Sequence, residues 1–346
     1  MFVTKTESDM KKWFSSRKSF IPAWEFWPYQ WVYAGIFVYY FFLALRFRHP
    51  AWFSAINTCI PYGGLFGYSK SGILKMLPVE KVPNFVRVSP PFALDEKILE
   101  ELKFPMILKP DVGERGIGVV LIEHLEQLHD ALSQRQHPQI LQRYVDLAEE
   151  FGIFVVKKPG SAQFEVTSIT SKKFLCVIGD GKRSVGSLIQ NDLRNQRYLG
   201  QLSPNILEVI PAQEEIVYLQ PIGNHNRGTM FCDARQLNCQ LLEEQMNVLL
   251  KSLNGFRMGR LDLRAESWEA LLQGHYQIIE LNGAASEPTH IYQPGFSFFE
   301  AQKTLFKQWR LMASIAKEVL KSNYQLPPIL QTFRDFSAYK QQIKRP

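Results

Sequence analysis

Along most of the chain, hydrophobic residues recur every second position over short runs or every third to fourth position over longer ones. These are the periods that separate half-buried strands from amphipathic helices. Short apolar runs bounded by Gly, Pro, Asn or Asp predict strands over 104–110, 140–145, 150–158, 164–170, 256–263 and 276–281. A spacing near 3.6 predicts helices over 95–102, 124–132, 237–250 and 298–320. At 176–189 a strand, a turn set by Gly179 and Gly181, and a helix capped by Ser184 follow one another. The stretch 331–346 is partly polar, ends in Lys344-Arg345-Pro346 and reads as a solvated basic tail.

The first 67 residues break this pattern. Positions 26–45 carry no charge, and as one helix they would be about 30 Å long, enough to cross a bilayer. Trp24, Trp27, Tyr29, Trp31, Tyr39, Tyr40 and Trp52 suit an interfacial belt, and Arg46 and Arg48 follow directly. The preceding flank holds Lys5, Lys11, Lys12, Arg17 and Lys18 against Glu7, Asp9 and Glu25. A single crossing would send one basic flank to the far side. An in-plane or re-entrant helix keeps both on the anionic cytoplasmic leaflet, where each Lys or Arg contributes about 1 kcal/mol. Flank charge thus favours a peripheral segment over a span, with an aromatic-rich helix buried in a soluble protein as the third reading. No small-residue cleavage site follows the run, so it is not a signal peptide. The glycine-rich stretch 53–67 reads as a loop, either a connector or part of a substrate site.

Composition narrows the classes. The length and 46% apolar content allow one large or two ordinary domains. A net charge of +7 favours acidic partners such as ATP, anionic lipid or an acidic substrate. The basic residues are not gathered into a run with interleaved aromatics, and no nucleic-acid module is present, which argues against DNA or RNA. Cys59, Cys176, Cys232 and Cys239 lack C-x-x-C spacing and fit a reducing compartment. The histidines make no ligand cluster; His290, close after Asn282, is either a surface residue or a substrate contact.

Candidate chemistry gathers late in the chain. Alternation puts Asp262 with Arg264 on one face of a strand and Glu280 with Asn282 on one face of the next, giving two carboxylates and an amide oxygen. Hard oxygens on rigid strands suit a Mg²⁺ ion that also holds nucleotide phosphates. Upstream, an apolar strand ends in Lys109 and is followed by Gly113, Gly116 and Gly118, a loop whose backbone N–H groups can close on phosphates. Neither G-x-G-x-x-G nor G-x-x-x-x-G-K-[ST] occurs, which removes support for dinucleotide and P-loop folds.

The order of strand-Lys, glycine loop, hinge strand, Asp strand and E-x-N strand resembles the ATP-grasp superfamily over about 68–290. The resemblance implies an α+β fold with two α/β lobes and ATP between them, a domain over 68–330, and 1–67 as an aromatic N-terminal region. It implies that Lys70 (with Lys75 in reserve) and Lys109 meet the phosphates and that Gln142, Arg143, Tyr144 and Val145 form the adenine hinge. Glu150 would take the ribose hydroxyls, and Asp262, Glu280 and Asn282 would hold Mg²⁺. Within the superfamily, 176–189 and Asn224-His225-Asn226-Arg227-Gly228 are similar to blocks of amide-forming carboxylate–amine ligases such as cyanophycin synthetase and D-alanine:D-alanine ligase. That likeness implies an acyl-phosphate intermediate, Arg264 and Arg227 as stabilisers of charge on the reacting carboxylate, and small-molecule or lipid-linked carboxylate and amine substrates. ATP use puts the catalytic part in the cytoplasm, and the basic flanks of the 26–45 run favour a peripheral place on the inner face of the membrane. A phosphotransferase acting on a hydroxyl and a non-enzymatic membrane-bound adaptor are the alternatives. Two departures stand out: Gln142 and Arg143 occupy positions where members often carry Glu, and the residues before Lys70 are too few for the usual N-terminal α/β domain.

Overall fold

A computed structural model describes residues 23–92, 99–100, 102–192 and 194–344. Most of the expected 95–102 helix and the basic flank before residue 23 lie outside the described residues. The chain divides into two compact units, one made of Met1–Val32 with Phe174–Met230, the other of Tyr33–Lys173 with Phe231–Pro346. In chain order the strands are β1 (Phe85–Val88), β2 (Met106–Pro110), β3 (Val120–Ile122), β4 (Gln139–Arg143), β5 (Glu149–Val156), β6 (Glu165–Lys173), β7 (Cys176–Ile178), β8 (Ile216–Tyr218), β9 (Met230–Asp233), β10 (Met258–Ala265) and β11 (Tyr276–Asn282).

The larger unit holds two sheets, a four-stranded β1-β4-β2-β3 and a five-stranded β11-β10-β5-β6-β9. Period-2 alternation on β5 and β10 sends Phe151, Ile153, Val155, Leu261 and Leu263 to one face, where Leu242, Met246 and Leu250 of the helix Gln240–Leu250 cover them. The opposite face is divided along its length. At one end Phe154, Val156 and Met258 pack with Trp52, Phe53, Ile56 and Met312; at the other stand Glu150, Asp262 and Arg264, all buried. Apolar closure of one half fixes the strands that carry charges in the other.

Three expectations change. The uncharged run 26–45 is not one helix: a 3-10 turn Trp24–Phe26 and a short turn Tyr29–Val32 precede the helix Ala34–Phe47. Among the described residues no helix is long and apolar enough to cross a membrane. Pro28, which cannot donate a backbone hydrogen bond, lies between the first two turns. Positions 53–67 are a loop built on the 3-10 turns Trp52–Ala55 and Pro61–Gly64, but much of it is core rather than surface connector: Phe53, Ala55 and Ile56 are buried, and the Asn57 amide donates to Gly63 O (2.9 Å) and Met258 O (2.8 Å). The tail forms the helix Ile329–Gln342, whose Tyr339 is buried near Phe66 and whose Asp335 accepts a 2.5 Å hydrogen bond from Tyr62. Aromatic residues three apart in an otherwise polar helix supply that anchoring side.

In the smaller unit β7 and β8 pair antiparallel, and Ser184 caps the helix Val185–Gln190 by accepting from Ser187 N. Gly179 has no room for a side chain, since a Cβ there would lie 2.0 Å from Ala212 O. Leu175, Val177, Val185 and Ile189 form its core. The carboxylate of Glu25 accepts from Arg194 at 2.9 Å, which ties the Trp24–Phe26 turn to this unit.

Candidate active site

On β10 and β11 the pairing register sets Asp262 opposite Glu280 and Arg260 opposite Asn282. The register then slips, because Leu263 pairs with Ile278 and leaves Ile279 without a partner. The bulge reverses the parity of β11, so Ile278 and Leu281 both enter the core while Glu280 and Asn282 share the face of Asp262. It also frees the Ile279 carbonyl, which accepts from Lys109 Nζ at 3.0 Å.

The carboxylates are held in a lattice of cations. Asp262 contacts Lys172 Nζ at 3.0 Å and Arg260 Nη2 at 3.0 Å. Burial pushes its pKa up, but Arg260 and Lys172 outweigh burial and bring it to about 2. Glu280 is bonded by Lys70 Nζ; burial again works against ionisation, and Lys70 with Lys109 nonetheless holds the carboxyl below its ordinary range. The Asn282 amide donates to Asp262 at 3.2 Å and accepts from the Tyr68 hydroxyl at 3.1 Å. Gly152 lies beneath, with a Cβ there meeting Asp262 Oδ1 and Arg260 Cδ at 3.3 Å.

Both predicted lysines reach this face. Ser69 caps the helix Lys70–Leu74, and Asp111 at the end of β2 accepts from Ser69 Oγ, Ser71 N and Arg87 Nε, which fixes Lys70 beside Lys109. Burial and the neighbouring Lys70 charge lower Lys109 to about 8, against the pull of Glu280 and Asp262. Lys109 Nζ also donates to Gln142 Oε1 at 2.7 Å, whereas the buried Gln142 Nε2 has no partner. The glycine loop joins β2 to β3, with Gly116 (φ 69°) and Gly118 (φ 75°) in the left-handed region. Gly113 does not share that conformation.

At the hinge, Glu150 is buried and accepts from Lys172 at 2.7 Å and from Arg264 at 3.2 Å. Arg264 also donates to Val145 O and lies 5.2 Å from the Tyr144 ring centroid. The structure therefore puts Arg264 at the hinge, and Arg260 is the arginine on Asp262. Arg143 points outward. Arg227 belongs to the smaller unit, in the turn His225–Arg227 that Asn224 caps and Gly228 closes at φ 94°. His290 is not on the surface: it is buried, bonded to Ser168 Oγ at 2.7 Å, and lowered to about 4 by burial and Arg235.

Sequence reasoning missed Arg260, Lys172, Tyr68 and the pair Glu287–Tyr292. Arg260 was accessible from alternation alone, being two residues before Asp262. Lys172 was not, since its role depends on β6 pairing with β5. Glu287 carries one buried oxygen without a partner and is raised to about 7 by burial, with Tyr292 pulling the other way.

The stretch 60–67 docks beside Asn282, with Ala284 N donating to Gly63 O and Ala285 N to Gly64 O, both at 3.0 Å. A Cβ on Gly283 would lie 2.7 Å from Gly64 Cα. Gly283→Ala is expected to destabilise the protein by about 2–4 kcal/mol. Thermal denaturation measures the loss, and a wild-type melting temperature would show that the contact yields.

A family model described as the RimK-like ATP-grasp domain matches residues 79–166. Over these residues the fold is ATP-grasp. The matched stretch includes Lys109, the glycine loop, the 140–145 segment and Glu150, and ends before β10 and β11. Among solved structures the chain is similar to the D-alanine–D-alanine ligase of Bacillus anthracis, at 13% identity over 76% of this chain and 69% of that one, with a TM-score of 0.42. The ATP complex of the same ligase gives 15% identity, 74% and 68% coverage and a TM-score of 0.45. A bifunctional glutathione synthetase from Pasteurella multocida gives 17% identity over 68% of this chain and 35% of that one, with a TM-score of 0.34. The chain matches no curated protein sequence.

The oxygen donors on β10 and β11 are of the kind that suits Mg²⁺, which takes one or two carboxylates and completes its octahedron with water and phosphate oxygen. Asp262, Glu280 and the Asn282 oxygen are such donors. The unpartnered Gln142 Nε2 is a buried donor on the hinge, of the kind a purine nitrogen satisfies.

Proposed function

We propose that this ATP-grasp protein is a Mg-ATP-dependent ligase that joins a carboxylate to an amine through an acyl phosphate. The observation that carries the reading is the convergence of Asp262, Glu280 and Asn282 with Lys70, Lys109 and Arg260 on one face of the five-stranded sheet. Phosphoryl transfer needs little covalent help from protein and is accelerated chiefly by positioning and charge neutralisation. Asp262, Glu280 and Asn282 would hold Mg²⁺, which supplies Lewis-acid neutralisation of the phosphates. Lys70 and Lys109 add positive charge, and the loop over Gly113, Gly116 and Gly118 covers the γ-phosphate. Gln142, Tyr144 and Val145 receive the adenine, while Arg264 sets the hinge by holding Glu150 and the Val145 carbonyl. Arg260 takes the charge-stabilising role that sequence reasoning gave to Arg264, because it already offers its guanidinium beside Asp262. Such an enzyme works where ATP is, and we place it peripherally on the cytoplasmic leaflet.

An acyl-phosphate route predicts ADP and phosphate as products, not AMP and pyrophosphate. With a ¹⁸O-labelled carboxylate substrate, one label is expected in the released phosphate, read by mass spectrometry. AMP formation would overturn the assignment. ADP with a stable phosphorylated hydroxyl product and no amide would transfer the case to a phosphotransferase.

A further inference from the structure

The helix Ala34–Phe47 is apolar on both sides, and only one side is covered. Inward, Ile36 and Leu43 are buried, and Tyr39 and Tyr40 pack on Phe306 and Trp309 of the helix Phe298–Lys321 at 5.6 and 6.1 Å between ring centroids. Outward, Phe37, Val38, Phe41, Phe42 and Leu45 recur at helical spacing with 49%, 60%, 61%, 61% and 60% of their surface in solvent. Exposed singly, such residues need no explanation; five along one stripe mark an interaction surface.

The neighbouring helix shows what the stripe meets. Its exposed positions include Lys303, Lys307, Arg310, Lys317 and Lys321, and Arg46 and Arg48 are exposed at the end of the aromatic helix. Of the acidic residues on that helix, Glu300 stands 3.7 Å from Lys303, and Glu318 is paired with Arg257 at 2.9 Å. An apolar stripe beside a basic one fits a surface that is greasy below and anionic above. A second copy of the chain would offer the same basic stripe and complement only the apolar part.

We propose that the outward face of the Ala34–Phe47 helix and the basic face of the Phe298–Lys321 helix together dock on an anionic lipid bilayer, with the aromatic helix lying in the plane of the interface. The helix has 14 residues, about 21 Å of rise against a hydrocarbon core of about 30 Å, so it lies in the interface rather than crossing. Aromatic and aliphatic side chains enter the acyl boundary while lysine and arginine reach the headgroups. This surface stands independently of the ligase reading.

The test is co-sedimentation of the full-length protein with phosphatidylcholine vesicles, with and without about a third of phosphatidylserine. Wild type is expected in the pellet with the anionic vesicles and about tenfold less bound to the neutral ones. Phe41→Ser with Phe42→Ser, and separately Lys303→Glu with Lys307→Glu, should each reduce binding about tenfold with unchanged melting temperature, since all four side chains are exposed. Wild type that stays in the supernatant with both vesicle types overturns the proposal, as do variants that bind like wild type. A dimer in sedimentation velocity that the paired Phe41 and Phe42 change dissociates would give the face to a second copy instead.

Discussion

Glu280→Gln is expected to lower Mg-dependent ADP formation by roughly a thousandfold while leaving the fold intact. Its carboxylate is a quarter exposed, at 26%, and faces Lys70; a glutamine keeps the shape and an acceptor oxygen but removes the charge that, on the proposed function, binds the cation. Asp262→Asn should abolish turnover equally but behaves differently in stability. Asp262 is buried between Lys172 and Arg260, and removing one partner of a buried charge set costs about 3–5 kcal/mol. The pH dependence has the same origin. A carboxyl held at about 2 in the fold, against about 3.9 unfolded, contributes stability that is complete above pH 4 and is lost as pH falls through 2. Acid titration of unfolding should therefore show a shallower loss in Asp262→Asn than in wild type. Wild-type ADP formation with normal Mg²⁺ dependence in both variants would remove the metal assignment.

Lys109→Met should separate activity from stability in the opposite sense. Lys109 is buried at 7% exposure and its ammonium is disfavoured, with a pKa of about 8, against about 10.4 unfolded. The unfolded chain binds the extra proton between these values, so the group destabilises the fold fully below pH 8, and that penalty is relieved as pH rises to 10.4. Replacing it with methionine removes this cost, offset in part by the lost hydrogen bonds to Gln142 and the Ile279 carbonyl. A gain of about 1–2 kcal/mol at pH 7 is expected in denaturant unfolding, together with a loss of turnover of a hundredfold or more. A variant less stable than wild type would mean that the lysine is held by its hydrogen bonds and not strained by burial. Retained turnover would mean that it does not meet the moving phosphoryl group.

The sequence by itself determined many of the strands and helices and picked out candidate site residues on them. The strands around Lys109, Glu150, Asp262 and Glu280 lie within a few residues of where alternation puts them. Ser184 caps its helix as its spacing indicates. These features are local: side-chain period and capping depend on neighbours a few positions away. What tertiary structure decided depends on pairing between distant segments. The unpaired Ile279 turns Glu280 to the face of Asp262 and frees a carbonyl for Lys109. The pairing of β5 with β6 and β10 brings Lys172 onto Glu150 and Asp262, and sends Arg264 to the hinge while Arg260 stays with Asp262. The uncharged run 26–45 looks uniform in composition, yet turns break it, and only the packing of Tyr39 and Tyr40 shows which side of its helix is core and which is bare. Local pattern fixes what each residue can do, whereas register and burial choose its partner, because an ion pair or a covered face exists only once the other segment has arrived.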